Sequence, residues 1–117
     1  MFRAVLPPMI QAKRGRIVAV GSRAAVEPGA NYAGYNVSKA ALVTLVKTIA
    51  LEVRDHGLTA NVVLPSIIDT PVNRAAMPRA DFSKWVQPES IANLLVWLAL
   101  AEAADVNGAV IPIYGRS

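Results

Sequence analysis

Tyr35 and Lys39 lie four residues apart, a spacing that sets a phenol and an ammonium on one helical face, one turn from each other. A free phenol ionises near pH ~10 and is a poor proton donor or acceptor at neutral pH. A cation beside a phenol favours the phenolate and moves a tyrosine toward general acid–base work. Alone the pair is a weak signal, since tyrosine and lysine meet at this spacing in many helices that catalyse nothing. Ser22 supplies context. It precedes Tyr35 by thirteen residues and follows the run Arg16-Ile17-Val18-Ala19-Val20-Gly21. The end of a parallel strand is where open α/β sheets place their ligand sites. A hydroxyl there can hydrogen-bond a substrate oxygen while the tyrosine exchanges its proton. Tyr32, the other nearby phenol, has no lysine four residues on and reads as loop packing.

These side chains need elements to hold them. Residues 1–14 read as the tail of a helix, bent or delayed by Pro7-Pro8. Residues 16–20, β-branched and flanked by Gly15 and Gly21, read as a buried strand. Glu27-Pro28-Gly29 marks a loop between Ser22 and Asn31. A long helix is predicted from about Ala33 to His56, with Leu42, Leu45, Ile49 and Val53 at three- and four-residue steps and Gly57 as its stop. Val43, Val46 and Leu51 make it apolar beyond one stripe, which predicts burial on more than one side, either by a sheet and neighbours or by another subunit. Leu58–Leu64 is a second strand, ended by Pro65. A loop through Asp69-Thr70-Pro71 and a polar, poorly periodic stretch to Val86 lead to a helix opened by Pro88-Glu89, with Ile91, Leu94, Leu95, Leu98 and Ala99 on one face. Asn107-Gly108 turns into a third strand, Ala109–Ile113. Alternating helix and strand implies a parallel sheet with helices on both faces. Three such strands are few, and 16–20 would be left as an unpaired apolar edge.

Composition narrows the function classes. Of the 117 residues, 54% are apolar and 17% charged, with a net charge of +4, an apolar excess over ordinary soluble domains. The basic residues are scattered apart from Lys13, Arg14 and Arg16 and carry no interleaved aromatics, which argues against nucleic-acid binding. There is no cysteine, and the one histidine, His56, is explained by the end of the long helix, whose dipole favours a cation; no metal site is expected. The start carries no signal peptide, and the apolar run Leu94–Ala101 is far short of the roughly 20 residues that span a bilayer. A cytoplasmic protein without membrane contact is expected.

Gly15-Arg16-Ile17-Val18-Ala19-Val20-Gly21-Ser22, followed by Tyr35-Asn36-Val37-Ser38-Lys39-Ala40-Ala41-Leu42, resembles the active-site region of the short-chain dehydrogenase/reductase family. Asn61-Val62-Val63-Leu64-Pro65-Ser66-Ile67-Ile68-Asp69-Thr70-Pro71 resembles that family's next segment, and Asn107-Gly108-Ala109-Val110-Ile111-Pro112 its closing strand. Thinner likenesses run to 3-oxoacyl-acyl-carrier-protein reductases and, over Pro71–Phe82, to dihydropteridine reductases. The resemblance implies an α/β fold, the C-terminal half of a Rossmann-type doubly wound parallel sheet of about three strands with three helices. It implies an NAD(P)-dependent oxidoreductase, using NADP or NAD on a small-molecule carbonyl/alcohol substrate and homo-oligomeric as the family usually is. Tyr35 would be the general acid/base, Lys39 would bind the nicotinamide ribose and tune the tyrosine, and Ser22 would orient the substrate oxygen. Pro65, Ile68 and Thr70 match positions that contact the nicotinamide, with Tyr35 and Lys39 also on the cofactor.

Departures from the family pattern shape the expectation. Pro65-Ser66 replaces a Pro-Gly pair, so serine would have to adopt a backbone geometry that favours glycine. The stretch Asn73–Gln87 is short, implying a small substrate lid. The seven glycines never form the Gly-x-x-x-Gly-x-Gly turn that brings a pyrophosphate to a helix N-terminus. The resemblance places that turn, the NAD-or-NADP selector and a catalytic asparagine upstream of Met1. Residues 1–117 are thus expected to be a partial NAD(P)-binding Rossmann-fold domain whose N-terminal cofactor-binding half is absent, and an inactive, truncated fragment when alone. Two alternatives stand beside it: a non-enzymatic half-domain that associates with another chain, and an epimerase or dehydratase sharing the Tyr-Lys pair.

Overall fold

A computed structural model describes all 117 residues. The chain begins with helix α1 (Phe2–Ala12), which runs through Pro7 and Pro8 and ends where Lys13 turns left-handed (φ 50°). Strand β1 (Gly15–Val20) follows, then a short 3₁₀ turn at Arg23–Ala25. Helix α2 (Ala33–Val53) continues through a 3₁₀ turn to His56 and stops at Gly57, whose φ is 75°. A Cβ there would sit 2.8 Å from the Lys13 carbonyl oxygen, where α1 ends; both the backbone conformation and the space call for glycine.

Strand β2 (Leu58–Pro65) is buried at every residue, and β3 (Val110–Ile113) closes the sheet. The order is β1-β2-β3, all parallel, with Gly15 opposite Leu58, Val20 opposite Val63, and Val62 opposite Val110. Burial of a central parallel strand on both faces explains its unbroken apolar run. Leu58, Ala60, Val62 and Leu64 join Ile17 and Val46, Ile49, Ala50 and Val53 of α2 in one core. Period-two alternation sends Thr59, Asn61 and Val63 to the opposite face. Helix α4 (Pro88–Ala99) buries Ile91 and Leu98 and contacts β1.

One expectation is corrected and another narrowed. A fourth helix, α3 (Pro71–Ala76), stands where the sequence reads as irregular. Thr70 caps it by accepting from the Asn73 N–H at 3.2 Å, and Pro71 occupies its first turn, where its missing N–H costs nothing. Within the chain, helix α2 is buried along one stripe, and Val37, Leu45 and Leu51 are exposed, so its own sheet and neighbours do not cover the second side that the sequence expects either them or another subunit to bury. No helix is long and apolar enough to cross a membrane.

Candidate active site

The C-terminal ends of β1 and β2 open into a cleft of about 780 Å³, lined among others by Ser22, Tyr35, Pro65 and Ile68. Four of the six residues singled out in the sequence therefore share one hollow, at the end of a parallel sheet where ligands bind. Gly21 eases the exit from the sheet: a Cβ on it would lie 2.7 Å from Leu64 Cδ2, so a larger residue would have to push that buried leucine aside. Its N–H bonds the Val63 carbonyl at 2.8 Å, and Ser22 then caps the next turn by accepting from the Ala24 N–H at 3.2 Å.

Tyr35 sits in the first turn of α2, about half exposed to the cleft. Lys39 does not line the cleft; it stands one turn along with Nζ 5.6 Å from the centre of the Tyr35 ring, within reach of a cation–π attraction. Thr70 also lies outside the cleft. Its hydroxyl caps α3 on the border of a second, smaller polar hollow that includes Asp69, Arg74 and Gln87. Tyr32, expected to pack within its loop, is instead 65% exposed on the cleft.

Segment 66–70 is fixed from two directions. Ile68 pairs with Val86 in a parallel bridge, with the Val86 N–H on the Ile67 carbonyl and the Asp69 N–H on the Val86 carbonyl. The Ile68 carbonyl accepts from Asn73 Nδ2 at 2.8 Å, while its N–H bonds no group in the chain. Buried Asn36 Oδ1, on a residue lining the same cleft, is likewise without a partner. A cleft with an unspent amide donor and an unspent amide acceptor fits a carboxamide-bearing cofactor, because unmet polar groups are costly unless a ligand meets them. Ser66 lacks the positive φ that would require glycine; among non-glycine residues only Lys13 and Asn31 have one. Its hydroxyl instead donates to the Tyr114 carbonyl at 2.7 Å and meets Ser117 Oγ at 2.7 Å.

Arg23, which no local pattern singles out, ties the cleft's far wall together. It bonds Glu27 at 2.6 Å and the Ser117 carbonyl at 2.7 Å, and lies 4.9 Å from the centre of the Tyr114 ring. The last four residues are thereby held against the Ser22 loop, and Ser117 becomes part of the cleft lining.

Asp69 accepts two bonds from Arg74, at 2.6 and 2.7 Å, and a third from Gln87 at 3.1 Å. The Arg74 and Gln87 hydrogen bonds bring its pKa down from 3.8 to about 2. A carboxylate held below its ordinary value stabilises the fold above that value and loses its contribution as pH falls through the folded one. Between pH 4 and 2, then, wild-type stability should fall with a component that Asp69→Asn lacks, read as the slope of the urea midpoint against pH. Parallel slopes would refute this.

The family model described as short chain dehydrogenase matches residues 1–81. The 3-oxoacyl-[acyl-carrier-protein] reductase FabG of Escherichia coli K12 is 31% identical over 123 residues, covering 98% of this chain and 50% of that protein. Among solved structures, an oxidoreductase of the short chain dehydrogenase/reductase family from Burkholderia thailandensis superposes with a TM-score of 0.85 at 31% identity, over 97% of this chain and 48% of that one. A 3-oxoacyl-[acyl-carrier protein] reductase with bound NAD from Brucella melitensis gives a TM-score of 0.82 at 28% identity, over 98% and 45%. The chain spans about half the length of the curated relatives it matches. With 81 of its 117 residues matched by the family model, the chain belongs to the short chain dehydrogenase family.

Proposed function

We propose that residues 1–117 form the proton-transfer half of an NAD(P)-dependent oxidoreductase acting on a carbonyl or alcohol carbon. The observation that carries this is the meeting of Ser22 and Tyr35 in one strand-end cleft with Lys39 5.6 Å from the tyrosine ring. A nicotinamide, when bound, supplies or accepts the hydride. Tyr35 gives the proton to the carbonyl oxygen during reduction and takes it back from the hydroxyl during oxidation. Ser22 hydrogen-bonds the same oxygen and fixes its distance from the phenol. Lys39 puts a positive charge beside the tyrosine and a donor toward the cofactor ribose. Pro65 shapes the nicotinamide side of the cleft, and Ile68 offers its free N–H to the carboxamide. Thr70 lies outside the cleft with its oxygen capping α3, so only its hydroxyl proton is free for a cofactor that extends beyond the cleft.

The 117 residues contain no Gly-x-x-x-Gly-x-Gly turn, so on this reading the phosphate cradle lies in sequence outside them and residues 1–117 are part of a Rossmann-type domain; the three-stranded parallel sheet supports this. A cytoplasmic setting, a small-molecule substrate and homo-oligomeric assembly go with family membership, and exposed Val37, Leu45 and Leu51 on α2 suit assembly. The isolated chain is expected to bind neither NADPH nor NADH at micromolar concentration, because the cradle supplies much of the preorganisation. Joined in frame to the part of the Escherichia coli reductase that it does not match, it should oxidise NADPH or NADH with small ketones, 3-oxoacyl thioesters or pteridines. No coenzyme oxidation with any of them by a folded fusion would overturn the proposal, and micromolar coenzyme affinity in the isolated chain would overturn the division of labour.

A further inference from the structure

Residues Tyr114–Ser117, which follow β3, bond three parts of the cleft's surroundings at once. Gly115 turns left-handed (φ 64°) against the 3₁₀ turn Phe82–Lys84, where a Cβ would lie 2.8 Å from the Lys84 carbonyl oxygen. Conformation and space both call for glycine there. Arg116 grips the same turn twice: its N–H donates to the Lys84 carbonyl at 2.9 Å and its guanidinium to the Ser83 carbonyl at 2.8 Å. The Tyr114 carbonyl accepts from Ser66 Oγ at 2.7 Å. At the other end, Arg23 donates to the Ser117 carbonyl at 2.7 Å and lies over the Tyr114 ring.

Two of these anchors lead to side chains on the cleft. The Phe82–Lys84 turn is joined to α3, because the Arg74 guanidinium lies 4.9 Å from the centre of the Phe82 ring. Helix α3 and the residue that ends it bring Asn73 and Met77 to the cleft lining. Arg23 directly follows Ser22 and opens the turn that Ser22 Oγ caps by accepting from the Ala24 N–H. That bond uses an acceptor position of the Ser22 oxygen and leaves the hydroxyl proton for a substrate. The set of the turn therefore decides where the proton points. The Arg23–Glu27 pair is open to solvent, with 38% and 53% of the two side chains exposed, and such pairs add little stability. A guanidinium shared by Glu27, Ser117 and the Tyr114 ring fixes position more than it stabilises.

We infer that residues 114–117 are a strap that couples the two walls of the cleft, with Arg23 positioning the Ser22 hydroxyl and Arg116 positioning the wall that carries Asn73 and Met77. The consequence for catalysis rests on the function proposed above; the coupling itself does not. Both arginines are positioning residues that act through the strap, so a change at one end is felt at the other.

Hydrogen exchange in residues 1–117 tests the coupling. Arg116→Ala should speed exchange of the Ala25, Val26 and Glu27 amides, which close the turn after Ser22, by roughly threefold or more. Arg23→Ala should do the same for the Trp85 and Arg116 amides at the far end. Arg23→Lys should behave like Arg23→Ala, because an ammonium has no planar fork to span these partners. Arg79→Ala, exposed in the same stretch, should change neither set. In the fusion with the unmatched part of the Escherichia coli reductase, Arg23→Ala should lower kcat for ketone reduction about tenfold to a hundredfold, with coenzyme KM and thermal midpoint unchanged. Arg116→Ala should raise ketone KM more than it lowers kcat. The double variant should lose less than the product of the two single losses, since both act through one element. Exchange that quickens only on the substituted side, a double loss equal to that product, full recovery in Arg23→Lys, or a thermal midpoint that falls with the rate would each overturn the inference. A wild-type fusion that reduces no ketone would remove the oxidoreductase proposal, and the exchange data would still decide the strap. Exchange that stays local in a chain whose fusion is active would remove the strap alone.

Discussion

Tyr35→Phe is expected to lower the ketone-reducing rate of the completed enzyme by about 10²–10⁴-fold, the range over which a positioned general acid contributes. The substitution removes one oxygen and keeps the ring that Lys39 faces. The residue is 48% exposed, and the side-chain hydrogen bond it receives goes to its backbone carbonyl, which accepts from Ser38 Oγ at 2.7 Å. Neither packing nor helix capping depends on the phenol oxygen, so the thermal midpoint should not move. The drop should fall on kcat with little change in coenzyme affinity, because an interaction made in the transition state is lost and ground-state binding is kept. Lys39→Ala should weaken coenzyme affinity as well as rate, since its donor serves both. A Tyr35→Phe enzyme within about threefold of wild type would exclude the phenol as the proton donor, because that is far less than general acid catalysis contributes. Tyr32, 65% exposed on the same cleft, would then be the phenol to replace.

Much of this arrangement was legible in the chain itself. The three strands and the long helix follow from apolar runs and glycine punctuation; the strand-end rule points to Ser22, and the family resemblance adds Tyr35, Pro65 and Ile68, which line the same cleft. What local pattern missed has physical reasons. Helix α3 has six residues, too few for a period to show, and its start signal, Thr70-Pro71, serves a loop equally well. The one-sided burial of α2 could not be read from composition, because Val37, Leu45 and Leu51 are as apolar as Val46 and Ile49 and differ only in what lies opposite them. Arg23 reaches Ser117 across 94 positions of sequence, and no spacing rule links residues so far apart. Ser66 stands where the family pattern favours glycine, yet its backbone φ is not positive and its hydroxyl bonds the Tyr114 carbonyl of the final turn.

Asn61→Ala is expected to cost about 2–4 kcal/mol of folding stability. Asn61 is fully buried in the central strand. Its Nδ2 donates to the Val106 carbonyl at 2.8 Å and its Oδ1 accepts from the Ala109 N–H at 3.0 Å, gripping both sides of the turn that starts β3. Asn107, inside that turn, answers in the other direction: its Oδ1 accepts from the Ala60 N–H and its Nδ2 donates to the Ala50 carbonyl, both at 2.9 Å. Removing the Asn61 amide leaves a carbonyl and an N–H without their partners, and each such loss costs ~1–3 kcal/mol. Val106 and Ala109 are half-buried, so partial access of water keeps the sum below the maximum. Against a total of about 5–15 kcal/mol for a domain, and less for one with an open sheet edge, this is a large fraction. The urea midpoint should fall with no change in slope, while exposed Asn93→Ala should leave it in place; a loss below about 1 kcal/mol would show that the turn holds without the amide. The effect reaches the cleft, because β3 leads directly into Tyr114–Ser117, which Ser66 and Arg23 pin beside Ser22. A turn set by Asn61 at one end of β3 thus decides whether a cleft wall stands at the other, and loss of the amide should raise the hydrogen exchange of residues 114–117 before the chain unfolds.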